Sequence, residues 1–170
     1  MNIWMFEKKL TEQSRTFGMK NYRVWKWISV HGLLAYLFFA FLFSLLGMFT
    51  SWMAFVALSV GAYILINVVQ LLIRRKRPPF EELTDYRMWW RTYSMPSGHA
   101  TASAVATVFL LFTTKFPDPL TFALAAITFG VLALLISFSR LVVGVHYFFD
   151  IVVGLVLGAC IALGYCLFVL

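Results

Sequence analysis

Charged residues are scarce in this sequence, at 12% of the 170 residues. In soluble globular domains they make up roughly a quarter. This shortage excludes an ordinary water-soluble protein, because 62% of the residues are hydrophobic. Negative charge is especially rare, with 7 acidic against 14 basic residues and a formal net charge of +7. The composition therefore predicts an integral membrane protein whose few charges lie outside the hydrocarbon core.

Cysteine and proline are also rare. Cys160 and Cys166 lie six residues apart in one apolar run, a spacing that favours neither a disulfide nor a metal site. All five prolines stand outside the apolar runs, as expected if the runs are helices that exclude a residue without an N–H group. Gly154 and Gly158 form a Gly-x-x-x-Gly step in the last run, which predicts a close helix-packing face.

The apolar residues are concentrated in five runs, each near the roughly 20 residues that a helix needs to cross the hydrocarbon. We expect an all-α fold, a polytopic membrane helix bundle with about five transmembrane helices, in one domain covering residues 28–170. The predicted spans are 28–49, 52–73, 100–114, 120–138 and 147–170.

Residues 1–27 have a different pattern. They carry six basic residues, yet Ile3, Leu10, Phe17 and Val24 recur every seven positions. This spacing predicts a basic amphipathic helix lying on the membrane surface, as a region separate from the bundle. A frayed polar tail is the alternative. The segment lacks the apolar core of a secretory signal peptide, so we expect no cleavage.

Two polar segments interrupt the apolar sequence, and each contains a histidine. The first, residues 93–99, reads Tyr-Ser-Met-Pro-Ser-Gly-His. Because Pro96 can open a helix, the free N–H groups at that helix start would attract an anion. Ser97 adds a hydroxyl donor, and Gly98 lets a phosphate approach the main chain closely. The segment therefore predicts a phosphate-binding helix start with His99 beside it.

The second polar segment, residues 139–150, contains Arg140, His146 and Asp150. On a helix, His146 and Asp150 would stack on one face, so the carboxylate can accept from one ring nitrogen and leave the other free as a nucleophile. Ionisable groups at membrane depth are costly, which favours a functional interpretation. The alternative is a structural ion pair between Asp150 and Arg140.

A basic cluster at residues 74–77 follows the second predicted span. If the helix continues through it, Gln70, Arg74 and Arg77 share one face and point into the bundle. We interpret Arg75 and Lys76 as ordinary interfacial anchors of the helix end.

Taken in order, these segments resemble the type 2 phosphatidic acid phosphatase superfamily, which includes membrane lipid phosphatases and the soluble vanadium haloperoxidases. The resemblance rests on three motifs within residues 70–150. They are Arg77-Pro78, then Pro96-Ser97-Gly98-His99, and then Ser139-Arg140 followed by His146 and Asp150.

The resemblance implies a role for each motif residue. His146 would attack the phosphorus atom and form a phosphohistidine intermediate, and Asp150 would orient its ring. His99 would protonate the departing lipid oxygen and later help to activate water. The phosphoryl oxygens would be held by Arg77, Arg140, Ser97 and the main chain at Gly98. No metal or other cofactor is implied, and no metal-ligand cluster is visible in the sequence.

The sequence departs from the family pattern at one position. The first motif usually begins with a lysine seven residues before the arginine, and this chain has Gln70 there. An amide donates hydrogen bonds but supplies no positive charge. Arg74 is the expected substitute, which predicts that Arg74→Ala lowers turnover far more than Arg75→Ala.

The resemblance implies an enzyme, a phosphoric ester or diphosphate hydrolase acting on a membrane lipid phosphate within the bilayer. The first choice of substrate is a polyprenyl diphosphate, cleaved to the monophosphate. Phosphatidylglycerol phosphate, phosphatidic acid and a lipid A phosphate are alternatives. A non-catalytic protein that binds anionic lipids would explain the basic cluster, but not the spacing of His146 and Asp150. We expect no nucleic-acid partner.

Two opposing arguments bear on which side of the membrane carries the site. Five spans place 13 of the 14 basic residues on one side, with Lys115 opposite, and the positive-inside rule would make that side cytoplasmic. Bacterial members of the resembled family often act on the outer face. We expect a bacterial-type plasma membrane and slightly favour the outer face.

Overall fold

The computed structural model describes residues 3–43, 52–79, 85, 86, 88 and 93–168. Within these ranges the chain forms six α-helices and no extended sheet. The helices are α1 Ile3–Met19, α2 Tyr22–Phe43, α3 Trp52–Ile73, α4 Gly98–Thr113, α5 Pro119–Val142 and α6 Phe148–Phe168.

Three of the described helices, α3, α5 and α6, are long and apolar enough to cross a bilayer. The apolar helix α4 corresponds to the third predicted span and has 16 residues. The first predicted span begins within α2, and its last part, residues 44–49, lies outside the described residues. The prediction of an all-α polytopic membrane bundle is confirmed, and the number of five spans stays a prediction.

Helix α4 lies at the centre of the bundle and packs against α2, α3, α5 and α6. Its approach to α6 depends on two glycines. A Cβ atom at Gly158 would lie 2.4 Å from the carbonyl oxygen of Thr101, and one at Gly154 would lie 2.8 Å from that of Ser97. The predicted helix-packing face is confirmed, and it brings the start of α4 against the first turns of α6.

Helix α1 packs on α5 and α6 through its polar side. Its buried residues are Glu7, Thr11 and Gly18, and a Cβ atom at Gly18 would overlap the side chain of Val142. The predicted apolar stripe faces outward, with Phe17 73% exposed. This arrangement suits a helix whose outer side contacts lipid, as predicted.

The boundaries of this N-terminal region differ from the prediction. Helix α1 ends at Met19, and after a two-residue turn α2 begins at Tyr22, six residues before the predicted span. The start of α2 is polar because it contacts the loop that precedes α4: Tyr22 and Lys26 both bond the carboxylate of Asp85. Residues 1–27 therefore contain two helices, and α1 is docked on the bundle.

Candidate active site

The turn between α5 and α6 determines where His146 lies. The N–H of Val145 bonds the Arg140 carbonyl at 3.2 Å. The N–H of Gly144 bonds the Leu141 carbonyl at 3.0 Å, which completes a Schellman motif. Gly144 has a φ of 79°, a left-handed conformation that is costly for residues with a Cβ atom. The motif reverses the chain and brings His146 back within electrostatic range of Arg140.

The imidazole of His146 is buried between the two polar segments. Nδ1 lies 2.7 Å from the carbonyl oxygen of Ser94, and Nε2 lies 3.1 Å from Nη1 of Arg77. Because a carbonyl only accepts, Nδ1 carries the proton and Nε2 presents its lone pair. Burial lowers the pKa of His146 to about 4, and the charges of Arg77 and Arg140 act in the same direction. The ring is therefore neutral near pH 7.

Asp150 lies behind this ring, with its side chain fully buried. Its Oδ2 accepts from the N–H of Tyr147 at 2.8 Å and is 3.5 Å from Nδ1 of His146. The Ser94 carbonyl is thus the nearer acceptor for the ring. The main-chain oxygen of Asp150 accepts from the N–H of Ser97 at 2.9 Å, so this residue also joins the two polar segments.

The proposed alternative of an ion pair between Asp150 and Arg140 is wrong. Asp150 pairs instead with Arg75, whose Nη1 is 2.8 Å from Oδ1. Arg140 is 2% exposed and donates from Nη1 to the hydroxyls of Ser29 and Tyr86, at 2.5 and 2.8 Å. These neutral partners position the guanidinium and leave its charge uncompensated.

Arg77 and Arg140 place two positive charges within electrostatic range of His146. Arg77 is held by the carbonyls of Val145 and Tyr93, each at 2.9 Å. Burial lowers the pKa of Arg77 to about 10, and repulsion by Arg140 adds to this effect. Arg77 remains charged at pH 7, so the pair forms a cationic pocket suited to an oxyanion.

The start of α4 adds further donors to this pocket. The Oγ of Ser97 and the Nε of Arg140 are buried and have no hydrogen-bond partner among the described residues. Gly98 borders open space in the described part of the chain, where no atom outside its own helix turn and chain neighbours lies within 4 Å of a Cβ built there. His99 lies within electrostatic range of both arginines and of His146. Buried donors without partners fit a bound phosphoryl group.

No group of three metal-ligating residue types comes together among the described residues.

Gln70 and Arg74 do not lie where the sequence predicted. Gln70 is buried, but its Nε2 donates to the Pro96 carbonyl at 2.7 Å, so it supports the loop before α4. Arg74 follows the end of α3, has a φ of 53°, and is exposed, with Nε bonded to the Leu71 carbonyl at 3.0 Å. The expectation that Gln70, Arg74 and Arg77 share a helix face is wrong, because the helix ends at Ile73.

Several residues that complete the site were missed from the sequence. Ser94 acts through its carbonyl oxygen, which no side-chain type reveals. Ser29 and Tyr86 are ordinary helix and loop residues by pattern. Arg75 was interpreted as a membrane anchor, although it bonds Asp150. Glu7 had one usable signal, since it is an acid four residues after Ile3 and three before Leu10, which places it next to the apolar stripe of α1.

The chain is similar to known phosphatases. Residues 50–170 match the PAP2 superfamily. The chain is 34% identical over 104 residues to a decaprenylphosphoryl-5-phosphoribose phosphatase of Mycolicibacterium smegmatis, which covers 61% of this chain and 52% of the relative. It is 29% identical over 110 residues to the protein of that name from Mycobacterium tuberculosis H37Rv, covering 65% and 56%. The chain thus spans about half the length of these curated relatives.

The fold is also similar to a solved structure, the transmembrane PAP2-type phosphatidylglycerolphosphate phosphatase from Bacillus subtilis. The TM-score is 0.76, at 21% sequence identity, and the match covers 95% of this chain and 83% of the other. At this identity the likeness establishes the arrangement of helices.

Proposed function

The chain belongs to the PAP2 superfamily, and from that membership we propose that it is an integral membrane phosphatase that hydrolyses the phosphate or diphosphate group of a lipid. One observation carries the proposal. Nε2 of the neutral His146 ring lies beside the half-buried guanidinium of Arg77 and within electrostatic range of the buried Arg140. Ser97, whose N–H bonds the Asp150 carbonyl, has a buried hydroxyl with no partner among the described residues. This is the arrangement that a nucleophile and a phosphoryl group require.

In the proposed first step, the Nε2 lone pair of His146 attacks the phosphorus atom as the bond from phosphorus to the lipid oxygen breaks. The bound phosphate anion favours the protonated form of His99, which gives its proton to the departing oxygen. Arg77, which donates to Nε2 in the free site, shifts to a phosphoryl oxygen. The remaining donors are Arg140, Ser97 and the main-chain N–H of Gly98, and all act on charge that develops in the transition state.

In the second step, water attacks the phosphohistidine and His99 accepts the water proton. The bond between phosphorus and Nε2 breaks, inorganic phosphate leaves, and the neutral ring is regenerated. Asp150 and the Ser94 carbonyl hold the ring through both steps, because Nδ1 stays protonated throughout. No step in this sequence needs a metal ion.

The location of the site supports a lipid substrate. His146 lies in the turn between α5 and α6, two helices long and apolar enough to span a bilayer. A phosphate at this depth would meet the head-group region while an attached tail stays in the hydrocarbon. We propose a bacterial-type plasma membrane, with the site on its outer face.

For the lipid itself, we propose a polyprenyl chain, with a polyprenyl diphosphate as the first candidate. The support is that both curated relatives are named for a decaprenyl-linked phosphate. Phosphatidylglycerol phosphate is the second candidate, because the Bacillus subtilis protein of the same fold is named for it.

The test is phosphate release by purified protein from a lipid panel containing polyprenyl diphosphate, polyprenyl-linked phosphosugar, phosphatidylglycerol phosphate, phosphatidic acid and lipid A. We expect release that persists in a chelator, is inhibited by vanadate and falls at least about 1,000-fold in His146→Gln. Substrate labelled with radioactive phosphate should leave acid-labile label on the wild-type chain and none on that variant. Release that needs a metal, or that survives His146→Gln, would overturn the mechanism.

A matched variant separates the two histidines. In His99→Asn, an aryl phosphate with a good leaving group should lose much less activity than the lipid substrates, since its departing oxygen needs no proton. Equal losses for both substrates would remove His99 from the role of general acid. Absence of release from every lipid by folded wild-type protein would favour an anionic-lipid-binding protein.

A further inference from the structure

We propose that Glu7, on the surface helix α1, is a positioning residue for catalysis that acts through Arg75 and Asp150 on His146. This inference rests on the proposed phosphatase function, and it assigns α1 a part in the chemistry. Glu7 itself does not touch the reacting atoms, because Arg75 and Asp150 lie between it and His146. The evidence is a continuous chain of buried contacts from the first helix to the nucleophile.

The contact chain begins at the carboxylate of Glu7, which is 3% exposed. Its Oε2 lies 2.5 Å from Nη2 of Arg75, and Nη1 of the same guanidinium lies 2.8 Å from Oδ1 of Asp150. The other oxygen of Asp150 lies 3.5 Å from Nδ1 of His146. One planar guanidinium thus connects two carboxylates, and its rigid fork fixes their relative orientation.

The second oxygen of Glu7 caps helix α6. Its Oε1 accepts from the N–H of Phe149 at 3.1 Å, and the hydroxyl of Thr11, one turn along α1, accepts from the N–H of Phe148 at 3.1 Å. The first N–H groups of a helix have no partner within it, so these acceptors fix the start of α6. Asp150 lies in that first turn and moves with it.

Two aromatic rings also contact the guanidinium group of Arg75. The guanidinium carbon of Arg75 lies 4.5 Å from the ring centre of Tyr147 and 5.6 Å from that of Trp4. The two rings are themselves 5.4 Å apart. Arg75 is therefore held by two residues of α1, Trp4 through its ring and Glu7 through its carboxylate. Without Glu7, its anionic partner among the described residues would be Asp150.

A purely structural role explains these contacts less well. Burying an ion pair costs about as much desolvation energy as the charges recover, so such a pair contributes little to stability by itself. Packing of Gly18 against Val142 already docks the far end of α1 on α5. The position of the Glu7 charge, two contacts from the nucleophile, accounts for a carboxylate on the buried side of an amphipathic helix.

The experiment compares Glu7→Ala, Glu7→Gln, Arg75→Ala and the double variant Glu7→Ala/Arg75→Ala. Glu12→Gln is the matched control, because Glu12 is an exposed acid on the same helix. We expect Glu7→Ala to lower kcat about 10- to 100-fold with KM within about twofold. Glu7→Gln should recover part of the loss, since its amide oxygen can still accept from Phe149. In the Arg75→Ala background, Glu7→Ala should lower kcat by a smaller factor than in the wild-type chain, because only its cap on α6 is then left to lose.

A folded Glu7→Ala protein with unchanged kcat would overturn the proposal, and so would losses that multiply in the double variant. A second measurement does not need activity. In protein whose only histidine is His146, made by His31→Gln and His99→Gln, the Nδ1 resonance reports the hydrogen bond of the ring. Glu7→Ala should shift it and Glu12→Gln should not. If Glu7→Ala shifts the resonance but the wild-type protein hydrolyses no lipid, the phosphatase function is refuted and the positioning role is retained. If Glu7→Ala causes no shift, the positioning role is refuted.

Discussion

At position 146, burial outweighs the neighbouring carboxylate in setting the charge of the imidazole. Asp150 favours protonation, but desolvation and the two arginines lower the pKa to about 4. Because this value is below the ordinary pKa of about 6.5, the ring stays in its nucleophilic form as the pH falls. Protonation should remove the nucleophile only near pH 4.

This pKa predicts a titration curve. In the His31→Gln/His99→Gln protein, the imidazole nitrogen resonances should report a neutral ring with the proton on Nδ1 from pH 7 to about pH 5. The free amino acid measured in the same detergent serves as the reference. A midpoint at or above the ordinary value would show that the ring is solvated or dominated by Asp150.

The two adjacent arginines predict opposite outcomes. Arg75 bonds Asp150 and Glu7, whereas Arg74 is exposed and bonds the Leu71 carbonyl. We expect Arg75→Ala to lower kcat at least about tenfold and Arg74→Ala to change it less than about twofold. This reverses the expectation drawn from the sequence. Steady-state rates of the two variants in the same membrane preparation decide the question, and a larger loss in Arg74→Ala would restore the earlier expectation.

The sequence predicted that His146 would lie near Arg77, Arg140 and Asp150, but it misplaced Gln70 and Arg74. Arg140 and His146 stand six residues apart, and that spacing suits a tight turn between two helices. What the sequence did not contain was the acceptor for the His146 ring, because the Ser94 carbonyl belongs to the main chain. It also did not show that α3 stops at Ile73, which turns Arg74 outward.

Among the elements, the contact of α4 with α6 sets the distance between the two polar segments. Gly158 allows this contact, because a Cβ atom there would lie 2.4 Å from the Thr101 carbonyl. Separation of the helices would strain the bond from the N–H of Ser97 to Asp150. The packing of α4 against α6, one or two helical turns from the site, therefore helps to set the geometry of the site.

Gly158→Ala should thus be destabilising, by about 1–3 kcal/mol, with a lower Tm and reduced kcat. Gly164→Ala is the control on the same helix, since nothing lies within 4 Å of a Cβ there. We expect the control to keep or raise the Tm, because alanine is the better helix former. Equal unfolding temperatures of the two variants, measured by intrinsic fluorescence, would contradict the packing argument.

The hydrophobic runs predicted the helices, except at some of the helix ends. Helices α3, α5 and α6 match the predicted spans closely because long apolar runs leave few alternatives. Helix α2 begins earlier than its apolar run because its first turn binds Asp85, a tertiary contact that composition does not encode. For the same reason, the docking of α1 was not predicted.

On the scale of the whole molecule, the length of α5 separates the residues at the two ends of the bundle. Helix α5 has 24 residues and is about 36 Å long, so Lys115, just before it, and Arg140, near its end, lie at opposite ends. Helix α1 is on the Arg140 end, where it packs against Val142.

This geometry predicts which positions share a side of the membrane. In a Cys160→Ser/Cys166→Ser background, single cysteines at Glu12 and Lys115, both exposed, should react with an impermeant reagent from opposite sides of intact cells. Labelling at Glu12 alone would place the active site outside. A cysteine at Glu82 would report the same side but lies outside the described residues. Labelling of both positions from outside would contradict a spanning bundle.

The cap that α1 forms on α6 joins the first and the last of the six described helices. In a growing chain, Arg75 is available to Oε2 of Glu7 early, whereas the N–H of Phe149 can reach Oε1 only after α6 has been inserted. Nascent chains that do not yet contain α6 should consequently hydrolyse no lipid.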